Sequence, residues 1–143
     1  MEDAAAFVRE HARPAFGSGA ARASEEPDLI RRFGELGIRL QAAEALLDRA
    51  ADAIDAARTE LTGETAGHAT LLVDSAKWLM TETAIEIANA LFEVAGTSSM
   101  DRKHNFDRHW RNVRIHTLHD PARLKLHHAG KWFLNGVYHE YKM

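Results

Sequence analysis

Residues 28–61, DLIRRFGELGIRLQAAEALLDRAADAIDAARTEL, decide the fold class. Within them Leu29, Phe33, Leu36, Leu40, Ala43, Leu47, Ala50, Ile54, Ala57 and Leu61 follow one another at alternating steps of four and three. That is a sustained heptad stripe, the pattern of a helix that lays one apolar face on a partner. Asp28 is an N-cap candidate and Gly63 a stop, which predicts one helix of about nine turns at 3.6 residues each.

Working outward, Gly67 to Ala95 carries two apolar stripes. Val73, Ala76, Met80, Ile87, Leu91 and Val94 form one; Leu72, Leu79, Ile85, Ala88 and Phe92 form the other. A helix apolar on two sides is buried between neighbours. Gly96 to Ser99 ends it. Residues 2–12 predict a short helix opened by Glu2 and Asp3 and stopped by Pro14. Pro14 to Pro27, with Gly17, Ser18 and Gly19, reads as a connector. Residues 104–117 are polar and aromatic and partly helical. Asp120 and Pro121 predict an N-cap and first turn for a last helix that Asn135 and Gly136 close. Strand signals are nearly absent. The expected architecture is all-α: one antiparallel helical-bundle domain over residues 1–143, with two long helices as its spine.

Length and composition agree. The chain has 143 residues, 45% apolar and 27% charged, enough for one buried core. No apolar run reaches the roughly 18 residues of a membrane span, and the first thirteen residues are not signal-like, so the expected compartment is the cytoplasm, with no membrane partner. Cysteine is absent, which excludes disulfides, thiolate nucleophiles and Cys-type zinc sites. The net charge of −3 conceals an asymmetry: residues 1–100 hold 9 Lys/Arg and 17 Asp/Glu, whereas residues 101–131 hold 8 Lys/Arg and 3 Asp, with six of the nine histidines.

Nine histidines raise the question of a metal. Neither Glu-x-x-His nor His-Glu-x-x-His occurs, and neither His116-x-x-His119 nor His127-His128 has a carboxylate at ligand spacing, so they read as surface or hydrogen-bonded structural histidines and no metal is expected. Arg108, Arg111 and Arg114 recur at helical spacing and can meet phosphates bidentately or pair with acidic residues of the long helices. Nucleic acid is disfavoured, because the chain is acidic overall and lacks a recognition-helix pattern. Gly96-Thr97-Ser98-Ser99 offers hydroxyls and backbone N–H groups that can cradle a phosphate, or it is simply a helix cap. Arg31 and Arg32, in the first turns of the long helix, form an anion site or a solvated face.

The order of these segments resembles the C-terminal domain of the acyl-CoA dehydrogenase superfamily, on the branch of dibenzothiophene and sulfone-type flavin monooxygenases. The resemblance rests on Arg13-Pro14, Arg22-Ala23-Ser24 to Asp28, Arg31 to Leu36, Leu91 to Gly96, Asn105 to Arg114 and His119-Asp120-Pro121; the block from Asn105 to Arg114 is the specific part. It implies a flavin, FAD or FMN, lying between a β-domain and this helical domain, with a neighbouring subunit completing the pocket. Arg32 or Arg31 would reach the phosphate end of a neighbouring subunit's flavin, Gly96, Thr97 and Ser98 would lie against the flavin nucleotide, and His119 would face the ring as the catalytic residue. Arg111 completes the cofactor-binding set.

Two departures shape the expectation. Ala95-Gly96 stands where the family commonly has Gly-Gly, and no carboxylate can be assigned as the dehydrogenase base, which favours the monooxygenase branch. The family's N-terminal helical and β-domains are missing, so a separate chain supplies them or the chain is a fragment; alone it is expected to be an inactive homo-oligomer. The rival reading is a non-catalytic helical oligomerisation module retaining the family fold.

Overall fold

A computed structural model describes residues 1–139. Five helices carry the chain: α1 (Glu2–Glu10), α2 (Pro27–Thr59), α3 (Gly63–Ala95), α4 (Asp107–His119) and α5 (Ala122–Asn135). Short 3₁₀ turns stand at Ala23–Glu25 and Thr97–Met100, and no strand occurs among the described residues. The all-α expectation holds.

Boundaries differ from the sequence reading where caps decide them. Gly63 does not stop α2, which ends at Thr59; it opens α3. The reason is a reciprocal cap. The Thr62 backbone N–H donates to Thr65 Oγ1 at 2.9 Å, the Thr65 N–H donates to Thr62 Oγ1 at 3.1 Å, and Thr65 Oγ1 donates to the Glu60 carbonyl at 2.7 Å. This is a capping box with threonine in place of the usual Glu or Gln, and it starts α3 at Gly63, four residues before the expected start at Gly67. Asp28 lies inside the first turn of α2 rather than capping it, and Pro121 occupies the N-cap position of α5. Gly136 closes α5 in the left-handed conformation (φ 66°, ψ 21°), as glycine at this position commonly does.

The chain divides into two compact units. The first comprises Met1–Arg39 and Thr83–Ile115; the second comprises Leu40–Glu82 and the chain from His116 onward. Helices α2, α3 and α4 each have residues in both.

In the first unit Ala4 and Val8 of α1, Ala23, and Leu91 and Val94 of α3 form the core, with Phe33, Phe92 and Phe106 packed on it. Phe7 sits at ring-centroid distances of 5.3, 5.0 and 5.5 Å from His11, His104 and Phe106, edge to face with each. The connector is tied back by buried Glu26, whose Oε1 accepts from the Ala15 N–H at 2.6 Å. Asp3 joins α1 to α4: its Oδ2 accepts from Arg108 Nη2 at 2.5 Å and pairs with His109 Nε2 at 2.8 Å. The hydrogen bond to His109 is the largest of the effects that hold the Asp3 carboxyl below the usual carboxylate range; burial opposes it, and the charge and hydrogen bond of Arg108 add to it.

In the second unit the seam between α2 and α3 is built from small residues: Ala50, Ala53 and Ala57 against Ala69, Leu72 and Ala76, all buried. Small side chains let two helices approach at the short end of the usual 8–10 Å spacing. The buried line within the heptad stripe is Leu36, Ala43, Ala50 and Ala57, whereas Leu47 and Ile54 are 48% and 42% exposed. Three of the ten predicted seam positions, Leu47, Ile54 and Leu61, are therefore exposed. After Gly136 the chain folds back: Tyr138 stacks on Trp132 (4.0 Å, 11°) and His139 on His128 (3.4 Å, 7°).

Candidate functional site

The candidate residues fall in both units. In the first, α2 brings Arg32 beside α3. Its Nη1 donates to Glu86 Oε1 at 3.0 Å and its Nη2 to Glu93 Oε2 at 3.3 Å, with Glu35 Oε2 at 3.5 Å. The spacing explains the pairing, since residues 86 and 93 stand seven apart on one face of α3. Glu86 also takes Arg39 Nη1 at 3.2 Å. The bond to Glu86 comes first among the causes that raise the Arg32 pKa, burial opposing it. Arg32 Nε is nevertheless buried with no hydrogen-bond partner among the described residues. Arg31 points elsewhere: it is exposed and pairs with Glu35 one turn on.

Gly96 carries φ 72° and ψ −176°, a backbone open to glycine, and a side chain there would meet nothing within 4 Å. Thr97 and Ser98 are exposed on the turn it begins, while Ser99 is buried and donates from Oγ to the Gly96 carbonyl at 2.6 Å. Arg111 lies on α4 with Asp107 as its ion-pair partner in the first turn and Asn105 Oδ1 at 3.4 Å. Ser99, Met100, Asn105, Asp107 and Arg111 line a common cavity of about 360 Å³. Asn105 shapes its rim with φ 51°, a left-handed conformation that asparagine tolerates better than most residues. Arg108 and Arg111 therefore find acidic partners, on α1 and in the first turn of α4 respectively.

In the second unit His119 ends α4 and is exposed; its ring has no partner among the described residues. It lines a cavity of about 580 Å³ with His116, Lys77, Asp74, Asp120 and Lys125. Lys77 Nζ lies 3.4 Å from His116 Nε2 and donates to the His116 carbonyl at 3.4 Å. Around this wall stands a group that the sequence reading missed. Asp74, fully buried, meets Lys125 Nζ at 3.2 Å through Oδ1 and His128 Nδ1 at 2.6 Å through Oδ2, and Lys125 Nζ also meets Asp120 Oδ2 at 3.2 Å. The available signal was an aspartate between Leu72, Val73 and Ala76 on a helix face, a position where a charge needs a partner. Its partners are about fifty residues away in sequence and carry no motif. His139, stacked on His128, has its pKa lowered first by burial and then by the His128 charge.

Among the described residues, no three His, Asp or Glu side chains gather so as to hold a metal ion, and no helix is long and apolar enough to cross a membrane. Fold and site define an all-α domain that turns imidazole, ammonium and guanidinium groups toward open cavities. The chain belongs to the acyl-CoA dehydrogenase C-terminal domain family, whose sequence profile matches residues 1–123. It is 38% identical over 94% of its length to a probable FMNH2-dependent monooxygenase, SfnC, of Pseudomonas putida, and 38% identical over 96% to the dibenzothiophene monooxygenase of Mycolicibacterium goodii. Among solved structures it superposes on methanesulfinate monooxygenase MsuC of Pseudomonas fluorescens with a TM-score of 0.94 at 33% identity, covering 99% of this chain and 37% of that one. TdsC of a Paenibacillus strain, solved with FMN and indole, gives 0.90 at 37% identity, covering 96% and 35%. The chain spans about a third of the length of the relatives it matches, 35% for SfnC and 34% for the dibenzothiophene monooxygenase.

Proposed function

We propose that the chain is the C-terminal helical domain of a larger cytoplasmic FMN-dependent monooxygenase, contributing one wall of the flavin site and part of a homo-oligomeric interface. The observation that carries this reading is the His119 cavity, where an unpartnered imidazole stands beside Lys77 and His116 in a space of about 580 Å³. A cluster of donors around an open space suits an electron-rich, hydrogen-bond-accepting ring. FMN is favoured over FAD because relatives are named or solved with FMN.

Taken singly, the two units offer different fits: the residues around Arg32 suit the phosphate end of a neighbouring subunit's flavin, and the His119 cavity suits a flavin ring. Arg32 Nε is a buried donor without an acceptor, and a phosphate oxygen would satisfy it. For a full bidentate contact, Arg32 exchanges one of its glutamates for the phosphate. Gly96, Thr97 and Ser98 offer an open backbone approach on the nucleotide side, with Arg31 and Arg111 as further cations. Bound flavin supplies the electron transfer and oxygen activation of a monooxygenase. His119 then holds or passes a proton at a ring nitrogen, and the β-domain and the rest of the pocket come from polypeptide outside this chain. By itself the chain binds flavin weakly and is inactive.

The rival, a helical module that only oligomerises, draws on exposed Leu47, Ile54, Ile115, Leu118, Phe133 and Leu134. One pair of substitutions in the complete flavoenzyme separates the two. His119→Asn is expected to cut turnover with flavin affinity nearly intact. Arg32→Ala is expected to weaken flavin retention by roughly one to two decades, the worth of a charge-assisted contact of about 1.5–3 kcal/mol. Unchanged turnover and unchanged affinity together would leave only the oligomerisation module.

A further inference from the structure

His119 stands at a corner. It is the last residue of α4, and Pro121 already occupies the N-cap position of α5, so Asp120 alone separates them. The two-residue corner is tied to α3 through a single side chain of α5. Asp120 Oδ2 reaches Lys125 Nζ at 3.2 Å, and the same ammonium reaches Oδ1 of Asp74 on α3 at 3.2 Å. The remaining oxygen of Asp74 is taken by His128 Nδ1 at 2.6 Å, one helical turn beyond Lys125 on α5. The Asp74 side chain is 2% exposed and that of Lys125 9%.

Stability does not explain such a group. Removing two charges from water costs several kcal/mol per ion, and apolar residues of similar volume commonly serve a core as well or better. What the ion group provides is direction. An ammonium held between two carboxylates from different elements fixes both, whereas an apolar contact tolerates sliding. All three charged members, and His119 itself, line the same cavity.

The geometry points to Lys125 as a positioning residue: by bridging Asp74 of α3 and Asp120 of the α4–α5 corner, it sets the orientation in which His119 faces the cavity. This rests on the reading of His119 given above. Lys125 has no need to touch flavin or substrate.

The test has two arms. In the 143-residue chain, amide hydrogen exchange and ¹⁵N relaxation at residues 117–120 report the corner directly, with the Ala50–Ala57 seam as the internal reference. Lys125→Met is expected to loosen the corner and leave the seam protected. Because that variant strands buried Asp74, Asp74→Asn/Lys125→Met is measured beside it; the double variant is expected to recover the fold while the corner stays loose. In the complete flavoenzyme, the double variant is expected to lose about tenfold to hundredfold in kcat with flavin affinity within about twofold, the signature of misorientation rather than lost binding. Adding the Asp74→Asn/Lys125→Met pair to His119→Asn is expected to lower kcat no further.

A corner as ordered in both Lys125 variants as in the parent chain would overturn the inference. So would recovery of turnover together with stability in the double variant. Full turnover in His119→Asn alone would overturn the reading of His119 instead, and the exchange data on the corner would still decide what Lys125 holds.

Discussion

Gly67→Ala sets two effects of similar size against each other within one helix. Gly67 is buried inside α3, and a Cβ built on it would overlap the Cγ and Cδ2 atoms of Tyr138 and come within 3.0 Å of its Cβ. Those atoms move only if the whole ring swings about χ1 or the segment after Gly136 lifts, and either movement takes the ring off Trp132. On the gain side, alanine replaces glycine in a helix interior, worth about 1 kcal/mol. On the loss side, Tyr138 leaves its stack on Trp132, worth about 0.5–1.5 kcal/mol beyond area burial, and uncovers part of its ring. The sum is near zero. The expected result is an unfolding midpoint almost unchanged, with a clear local signature: higher solvent access at Trp132, read by acrylamide quenching, and faster proteolysis after Gly136. His139, displaced from its stack on His128, regains an ordinary histidine titration. A variant that keeps the Trp132–Tyr138 contact, or that loses several kcal/mol, would show that this packing is not what Gly67 is for.

Other outcomes follow from the same contacts. Thr62→Ala removes one half of the reciprocal cap and is expected to cost about 1 kcal/mol in urea unfolding; no measurable change would mean that α3 starts without it. Asp3 has a lowered folded-state pKa, so its contribution is present above the ordinary carboxylate range and lost as pH falls through the folded value. Asp3→Asn should therefore narrow its stability gap to the parent chain between about pH 5 and pH 2, and a gap independent of pH would remove Asp3 from the account. The exposed Leu47, Ile54, Ile115, Leu118, Phe133 and Leu134 predict concentration-dependent self-association, to be read by light scattering; a clean monomer over a wide range would refute it.

Much of the fold was legible in the sequence because helical periodicity is a local property. Leu36, Ala43, Ala50 and Ala57 are spaced by seven, and the chain buries them as that spacing demands. Helix ends were less legible. Thr62-x-x-Thr65 makes the same pair of reciprocal bonds as the commoner threonine–glutamate box, but without the acidic residue it gives a weak signal, and Gly63 then looks like an end instead of a beginning.

The sequence by itself determined that the chain is helical, where its two long helices lie, and which family its Asn105 to Arg114 and His119-Asp120-Pro121 blocks belong to. Those depend on residue type and short-range spacing. Only the tertiary structure decided how charges are neutralised. It gives Arg32 to Glu86 and Glu93, Arg108 to Asp3, and Asp74 to Lys125 and His128, pairs separated by 51 to 105 positions. It also decided that the Leu47–Ile54 side of the stripe stays exposed, since a helix pair has one seam and the alanines, being smaller, permit the closer approach. Charge pairing at long separation leaves no period in a sequence, because any acid satisfies any base and only the path of the backbone says which two meet.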